Sequence, residues 1–267
     1  MKSPGFIFAA LLAGTLAGFP AAAVTREEAT IQNATLVLRE LQSMPDLQIP
    51  DQLLSRAEGI VILPANVKVG LIFGARFGNG VLMVRDADHN WSNPVFVTTG
   101  GGSWGFQAGG QVADIVLVLT TRQSVEGITD GKLTLGADAS VAAGPVGRTA
   151  MASTSVTFDS EVYAYSRTKG LFAGISLEGN GIFIGKKANR RFYDGDGSAT
   201  EILARKQPPP PPADELLAEV RRVTSTSAEH TASEAPAPAT EVTPPERPEE
   251  PRTYPMADQE PGSEPPP

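Results

Sequence analysis

The chain has 267 residues, a formal net charge of −8 and no cysteine, which excludes disulfide scaffolds, thiolate metal sites and cysteine nucleophiles. The charge is unevenly distributed, since residues 208–267 hold 12 acidic and 4 basic residues whereas residues 1–207 hold 18 of each. The acidity therefore belongs to the C-terminal segment and does not set the sign of a binding surface elsewhere.

The first residues have the composition of a secretory signal peptide. Lys2 precedes an apolar stretch from Phe6 to Phe19, and the small residues Ala21 and Ala23 complete a signal-peptidase pattern. The apolar stretch is shorter than the ~20 residues that a membrane-spanning helix needs. We therefore expect cleavage after Ala23 and export of the remainder, periplasmic or secreted; a retained membrane anchor is the alternative.

Two helices are predicted next. The segment Thr25–Met44 opens with Thr25 and Glu28 at capping-box spacing. Its apolar residues recur on one side: Ile31, Ala34, Leu38 and Leu41. We expect this stripe to pack on the rest of the domain, with membrane insertion as the alternative, because the polar side mixes arginine and glutamate. A short second helix is predicted from Pro50 to Glu58.

From residue 59 the apolar period becomes alternating, which predicts strands. In "VKVGLIFGARFG", residues 67–78, apolar residues alternate with glycine and polar residues, and "KLTLGADASVAAG", residues 132–144, repeats the pattern. Faces made of small residues let another backbone approach closely or let a sheet bend. Further strands are predicted over six ranges: Ile60–Leu63, Val81–Arg85, Val95–Thr99, Asp114–Thr121, Val162–Ser166 and Leu171–Ile184.

After the strands the pattern returns to helix. Ser198 is a suitable cap for a closing helix Ala199–Lys206, and the prolines at 208–212 prevent its continuation. Residues 207–267 hold 16 of the 23 prolines and one aromatic residue, which predicts a disordered, Pro-rich acidic tail in which "ADELLAEVRRV" forms only a transient helix.

The fold class predicted for residues 24–206 is α+β. We expect a curved, largely antiparallel, glycine-rich sheet, barrel-like or a sandwich, with N-terminal helices and a closing C-terminal helix.

The glycine-rich stretch "TTGGGSWGFQAGGQ", residues 98–111, contains a G-x-G-x-x-G match. A phosphate cradle needs such glycines to open a helix, whereas an apolar β-like run follows here and no Lys-Ser/Thr pair is present. We therefore predict a tight connection with Trp104 and Phe106 packed beside it, and not a nucleotide site.

Metal-binding patterns are weak. The acidic runs Asp86–Asn90 and Asp194–Ser198 resemble calcium loops, but Trp91 replaces the turn glycine of the first and Arg205 the final glutamate of the second. A hairpin turn and a turn with a helix cap are predicted instead, and no metal or cofactor is expected.

Catalytic patterns are weak too. His89 lies in a predicted turn and His230 in the predicted tail, which argues against a histidine-based triad. Asp114 and Asp138 fall in predicted strands; buried carboxylates bonded to turn amides or to an arginine are the favoured interpretation, and a hydrolase with paired carboxylates is the alternative. The chain is therefore predicted not to be an enzyme.

A cluster of cations is the best binding feature. Within "GKKANRRF" four cations share one helical stretch: Lys186, Lys187, Arg190 and Arg191. Such a patch suits anionic headgroups, with a merely solvated surface as the alternative, and nucleic acid is not expected for an exported chain. Trp104 is predicted to add apolar insertion.

Seven blocks along residues 26–206 resemble the SYLF domain family, a lipid-binding module. They are "IPDQLLSRAEGIVILP", "GARFGNGVLMVRD", "WSNPVFV", "GFQAGGQVADIVLVL", "LTLGADASVAAGPVGR", "YAYSRTKGLFAGISLEG" and "ATEILA". The resemblance implies a non-enzymatic domain that binds phosphoinositides and related anionic lipids, with actin binding in some relatives. It also implies lipid contact by an N-terminal amphipathic helix, which maps onto Thr25–Met44.

The predicted function is therefore exported, non-enzymatic binding of anionic membrane lipids through the four cations. The alternative is a structural or protein-interaction module of the cell envelope. In that case the tail serves as a spacer, and the PxxP spacing in "PPERPEEP" offers a site for a protein partner.

Overall fold

The computed structural model describes residues 24–44, 48–70, 73–104, 109–144, 159–168, 171–172, 177 and 179–233. The predicted signal peptide, Phe106 and residues 234–267 lie outside these ranges, so the predictions made for them stand as predictions.

Six helices occur in the described ranges. They are α1 Arg26–Ser43, α2 Asp51–Ser55, α3 Arg122–Thr129, α4 Lys186–Tyr193, α5 Ala199–Leu203 and α6 Ala213–Ser233. The predicted capping box opens α1: the Glu28 N–H donates to Thr25 Oγ1 at 3.2 Å, and the Thr25 N–H donates to Glu28 Oε2 at 2.7 Å. The Ser198 cap of α5 is also confirmed. None of the described helices is long and apolar enough to span a bilayer.

The described strands form one sheet. They are β1 Gly59–Gly70, β2 Phe73–Val84, β3 Val95–Trp104, β4 Gly109–Leu119, β5 Lys132–Thr134, β6 Val141–Ala143, β7 Val162–Thr168, β8 Leu171–Phe172 and β9 Asn180–Ile184. Their order is β5-β9-β3-β2-β1-β4-β7-β6, with β8 beside β7 and only the β6–β7 pair parallel. The sheet curls into a half-barrel, which confirms the α+β class and favours the barrel-like alternative.

The long strand predicted over residues 67–78 is wrong, because that segment belongs to a hairpin. β1 and β2 pair antiparallel, with Lys68 opposite Arg76 and Gly70 opposite Gly74. Residues that lie opposite each other in the hairpin are an even number of positions apart in the sequence. The alternation of large and small side chains therefore continues from the first strand into the second without a change of phase. The sequence pattern alone therefore could not reveal the reversal.

Two other predicted strands are interrupted. Residues 132–144 hold β5 and β6, separated by a turn in which the Thr134 N–H donates to Asp138 Oδ2 at 2.7 Å and Gly136 has a φ of +83°. In residues 171–184 the short strands β8 and β9 lie at the two ends, and the described residues between them, 177 and 179, are not in a strand. Small residues satisfy a strand pattern and a turn equally well, which explains the error.

The glycines at 100–102 lie in β3 and those at 109–110 in β4, while the connection predicted between them, residues 105–108, lies outside the described residues. Gly100 and Gly101 pair with both β2 and β9, and no helix follows them, in agreement with the prediction against a phosphate cradle. At Gly101 a Cβ atom would lie 2.3 Å from Asn180 Oδ1 on the neighbouring strand. Here the small residue permits close approach, as the composition predicted.

The core lies between the sheet and its helices. α1 packs across β1 and β2 with its predicted apolar stripe buried. α3, which the sequence analysis did not predict, packs near the start of β1, where a Cβ on Gly59 would touch Val125 and Leu119. The segment "RQSVEGIT" is short and contains a glycine, so its helical period is weak.

The prediction of disorder from residue 207 is wrong for residues 213–233, which form α6. This helix packs on α1 and α2, and Arg39 Nη2 contacts Glu215 Oε1 at 2.9 Å. Its apolar side is buried through Ala213, Leu216, Leu217, Val220 and Val223. A helix of this length is marginal alone, but burial of one side stabilises it in the folded domain.

Candidate functional site

α4 carries the predicted cations and is fixed to the sheet by its buried side. Asn189 is fully buried; its Oδ1 accepts from the Phe96 N–H at 2.7 Å, and its Nδ2 donates to the Gly197 carbonyl at 3.2 Å. The Tyr193 hydroxyl donates to the Pro94 carbonyl at 2.7 Å. These bonds leave the other side of the helix exposed, with Lys186, Lys187, Arg190 and Arg191 on it.

A cavity of about 390 Å³ opens where the start of α4 meets the first turn of α1 and strands β2 and β3. Asn79 and Thr98 contribute polar atoms from the sheet. The charged residues that line the cavity are four cations and one carboxylate: Arg26, Lys186, Lys187, Arg191 and Glu27. We call this site the cationic cavity. The structure thus brings together three of the four predicted cations, while Arg190 lies outside the lining.

Glu27 and Arg191 join α1 to α4 at the cavity wall. Arg191 Nε donates to Glu27 Oε1 at 2.9 Å, and Arg191 Nη2 contacts the same oxygen. Burial by itself raises the pKa of Glu27, but the hydrogen bonds from Arg191 and the nearby cationic charges outweigh it and hold the pKa below its usual value. The carboxylate is therefore charged at neutral pH and forms an ion pair with Arg191.

The start of α4 adds to the positive potential. Its first turn contains Lys186 and Lys187 and no acidic residue, and Gly185 provides no side-chain cap. The N-terminus of a helix carries a partial positive charge, where cations are unfavourable and anions are stabilised. A sequence that departs from local preference in this way is typical of a functional site.

Exposed aromatic rings lie beside the cationic cavity. Thr98 is the register partner of Asn79 on β2 and of Phe183 on β9, and Phe77 lies two residues along β2 on the same face as Asn79. The fractional exposure of Phe77 is 52% and that of Phe183 is 36%. Phe77, Phe183 and Arg26 cannot be identified as site residues from the sequence, because only the assembled sheet and helices place them beside the predicted cations.

Trp104 is the remaining residue that was predicted to contact lipid. Its backbone ends β3, opposite Phe73, and its side chain lies outside the described atoms. A role of Trp104 in membrane insertion therefore remains a prediction.

The hydrogen-bond partners predicted for Asp114 and Asp138 are confirmed, but Asp138 is exposed in a turn and is not buried in a strand. Asp114 Oδ1 accepts from the Ala65 N–H at 2.9 Å and its Oδ2 from Arg167 Nη2 at 3.0 Å, so it holds an irregular segment of β1. Asp138 accepts from the Thr134 N–H in the turn after β5. Asp114 is thus bonded to the two neighbouring strands and Asp138 to its own turn, which removes the basis for a paired-carboxylate site.

The two acidic runs form the predicted turns. Asp86 Oδ1 accepts from the N–H groups of Asp88 at 2.9 Å and Asn90 at 2.8 Å, and Asp196 Oδ1 accepts from the Ser198 N–H at 2.5 Å. Within the described residues, no group of three acidic or histidine side chains has metal-binding geometry.

Replacing Glu27 with glutamine removes the charged partner of Arg191 and is expected to lower the free energy of unfolding at pH 7 by roughly 1 kcal/mol. The effect is small because solvent screens the exposed side of Arg191. The folded-state pKa is below the ordinary value of 4.5, so this stabilisation is present above that value. It is lost as the pH falls through the folded-state pKa. Urea unfolding of both proteins at pH 7 and at pH 3 measures the difference. A difference that does not shrink at the lower pH contradicts the assignment.

The chain is similar to known proteins over most of the described domain. The family model Ysc84, described as "Las17-binding protein actin regulator", matches residues 100–223, which extend into α6. Protein YSC84 of Saccharomyces cerevisiae is 38% identical over 175 residues, 64% of this chain and 37% of that protein. LAS seventeen-binding protein 3 of the same species is 40% identical over 162 residues, 60% and 35% respectively. SH3 domain-containing YSC84-like protein 1 of Homo sapiens is 35% identical over 191 residues, 69% and 56% respectively. The chain therefore spans between a third and a little over half of the length of these relatives.

Proposed function

The chain belongs to the Ysc84, or SYLF, domain family, and from this premise we propose that it binds anionic lipid headgroups in the cationic cavity. The observation that carries the proposal is the convergence of Arg26, Lys186, Lys187 and Arg191 at one opening whose single lining carboxylate is already bonded to Arg191. The lining therefore carries an excess of positive charge, and an anionic group neutralises it. We propose a binding role without catalysis.

The dimensions and surroundings of the cavity support a headgroup held at a membrane surface. A phosphate group in the opening meets lysine side chains and the N-terminal end of α4 together. Phe77 and Phe183, exposed beside the opening, then face the apolar part of the bilayer interface. Charge attraction and apolar contact thus act on the same side of the domain.

The contribution of α1 differs from the one that the family resemblance implies. Its apolar residues Ile31, Leu38 and Leu41 are buried against the domain and are not available to a membrane while the helix remains docked. Its first turn, however, supplies Arg26 and Glu27 to the cavity. We propose that α1 contacts lipid through this first turn.

Reversing the charge of Lys186 and Lys187 together, by glutamate substitution, is expected to weaken binding to anionic vesicles by at least about 30-fold. Each cation near an anionic surface contributes roughly 1 kcal/mol, and two are lost before repulsion is counted. Sedimentation with phosphatidylcholine vesicles that contain phosphatidylglycerol measures the change. Binding of the unaltered protein should also fall as salt is raised.

The matched control reverses two exposed lysines elsewhere, Lys132 on β5 and Lys206 after α5. This variant has the same net charge as the test variant, so a general effect of charge weakens both equally. Equal vesicle binding by the two variants, or undiminished binding by the Lys186/Lys187 variant, removes the cationic cavity from the mechanism.

A protein partner is the second candidate, and the exposed apolar part of the sheet favours it. Val69 and Val112 are each more than two-fifths exposed and lie near Phe77 on paired strands. The family description names a Las17-binding actin regulator. Co-sedimentation with actin filaments tests this candidate, and replacing Phe77 with serine should reduce it while leaving the cationic cavity intact.

We also propose that the chain is exported and acts in the periplasm or outside the cell. The support is the charge, apolar stretch and small residues of the first 23 positions. Mass spectrometry of the protein recovered from the producing cell tests the proposal, with Val24 as the expected first residue. An unprocessed N-terminus on a chain retained in the cytosol contradicts it.

A further inference from the structure

Arg76 on β2 is a buried cation with little compensation. Only 4% of the residue is exposed, and its described hydrogen bond runs from Nη1 to Asn66 Oδ1 at the long distance of 3.5 Å. Among the described side chains, no carboxylate lies within ion-pair distance of the guanidinium. Burial lowers the pKa of Arg76, and no acidic neighbour in the described region opposes that effect. An unpaired buried charge is costly, and proteins normally pair it.

Arg85 provides an internal comparison, because it lies on the same chain segment and is 8% exposed. Its Nη1 donates to the Ser55 carbonyl at 2.9 Å, and its guanidinium lies 4.8 Å from the centre of the Trp91 ring. Glu58 also raises its pKa against the larger effect of burial. The fold thus gives Arg85 a carbonyl, a ring and an acid, although its Nε has no hydrogen-bond partner among the described atoms, and it supplies none of the three to Arg76 within the described residues.

An unpaired buried donor lies beside Arg76. Asn66 is 1% exposed, and its Nδ2 has no hydrogen-bond partner among the described residues. Since the Asn66 Oδ1 accepts from Arg76, the guanidinium and the Asn66 amide group lie side by side, and no described acceptor pairs with the amide nitrogen. Gly78 makes this arrangement possible, because a Cβ there would lie 2.4 Å from Asn66 Nδ2.

The surrounding row of the sheet is cationic and polar. In register across five neighbouring strands it contains Asn180, Gly101, Arg76, Lys68 and Gln111. Successive residues of β2 alternate between faces, so Arg76 and Gly78 lie on the face opposite Phe77 and Asn79. This row is therefore separate from the cationic cavity.

We propose that Arg76 and Asn66 form a binding site for an oxyanion, the phosphate or carboxylate group of a ligand. Such a group accepts from the guanidinium in a bidentate manner and from the Asn66 amide, and it supplies the charge that Arg76 lacks. Lys68, half-buried and directly opposite Arg76, adds positive potential to the same face.

The test uses the full chain with Lys186 and Lys187 both changed to glutamate, so that the cationic cavity does not contribute. Inorganic phosphate and decanoate are titrated separately at constant ionic strength, with chloride as reference, while calorimetry records binding and thermal unfolding gives the Tm. A response to phosphate identifies a free phosphate or phosphate ester as the ligand type, and a response to decanoate alone identifies a carboxylate amphiphile.

Two substitutions connect the response to this site. Arg76→Met removes the charge at similar length and is expected to raise the Tm without ligand by roughly 2–4 °C or more, and to weaken anion binding by about ten-fold or more. Asn66→Asp places a carboxylate beside the guanidinium; it should also raise the Tm and abolish the anion response.

The outcomes are decisive even if Arg76→Met does not fold, because Asn66→Asp retains the arginine. Loss of the phosphate or decanoate response in either folded variant supports the site. No response to either probe, or a response that persists in the folded variants, overturns it. Vesicle sedimentation by the Arg76 and Asn66 variants with native lysines should be unchanged, which keeps this result distinct from the lipid proposal.

Discussion

A chain that ends at Lys206 is expected to lose its cooperative unfolding transition. The deletion removes α6, whose buried side includes Leu216, Leu217, Val220 and Val223. Burying each such side chain contributes about 1.5–3 kcal/mol, so the loss is comparable with the 5–15 kcal/mol by which a typical domain is stable. Removal of α6 also uncovers the apolar surfaces of α1 and α2 on which it packs.

Trp91 provides the measurement. Its indole N–H donates to Thr224 Oγ1 on α6 at 2.9 Å, and the ring is 5% exposed. A chain ending at Ser233 retains this contact and is the control; its tryptophan fluorescence should change in one sharp step with urea. A chain ending at Lys206 that unfolds with the same midpoint shows that α6 is not part of the cooperative unit.

The elements that sequence analysis predicted correctly have local causes. The capping box and apolar stripe of α1 and the Ser198 cap of α5 each depend on residues within one or two turns. α6 was missed as an ordered element for the opposite reason. Its stability comes from surfaces on α1 and α2 that are distant in the sequence, and the prolines on either side suggest disorder when considered alone.

The residues of the candidate site also fall into two groups, those that the local sequence identifies and those that only the tertiary structure brings together. Lys186, Lys187 and Arg191 could be found from their spacing in one helix. Arg26 and Phe183 could not, because only the assembled sheet and helices bring them beside that cluster. For Asp114 the sequence correctly predicted an arginine or backbone donor, because a carboxylate removed from solvent needs one, although the partners themselves, Ala65 N–H and Arg167, depend on tertiary structure.

The described glycines of the sheet differ in how closely other atoms surround an added Cβ, and Gly80 has the closest contact. β1 contains a register shift relative to β2 between Ile62 and Val67, at which Ala65 adopts a φ of +50°. Near this irregularity the Ile62 carbonyl lies over Gly80, so that an added Cβ would lie 2.0 Å from its oxygen. The obstacle is backbone, which cannot move without breaking the pairing of β1 with β2.

Gly80→Ala is therefore expected to destabilise the domain by about 3 kcal/mol or more, at the upper end of what overpacking produces. Gly100→Ala on β3 is the matched control, because no atom lies within 4 Å of its added Cβ; its effect should stay within about 1 kcal/mol and can be favourable through the unfolded state. Urea unfolding of the two variants compares them directly. Equal midpoints would mean that the glycines reflect composition alone, whereas a large difference means that close backbone approach at the β1 irregularity requires Gly80.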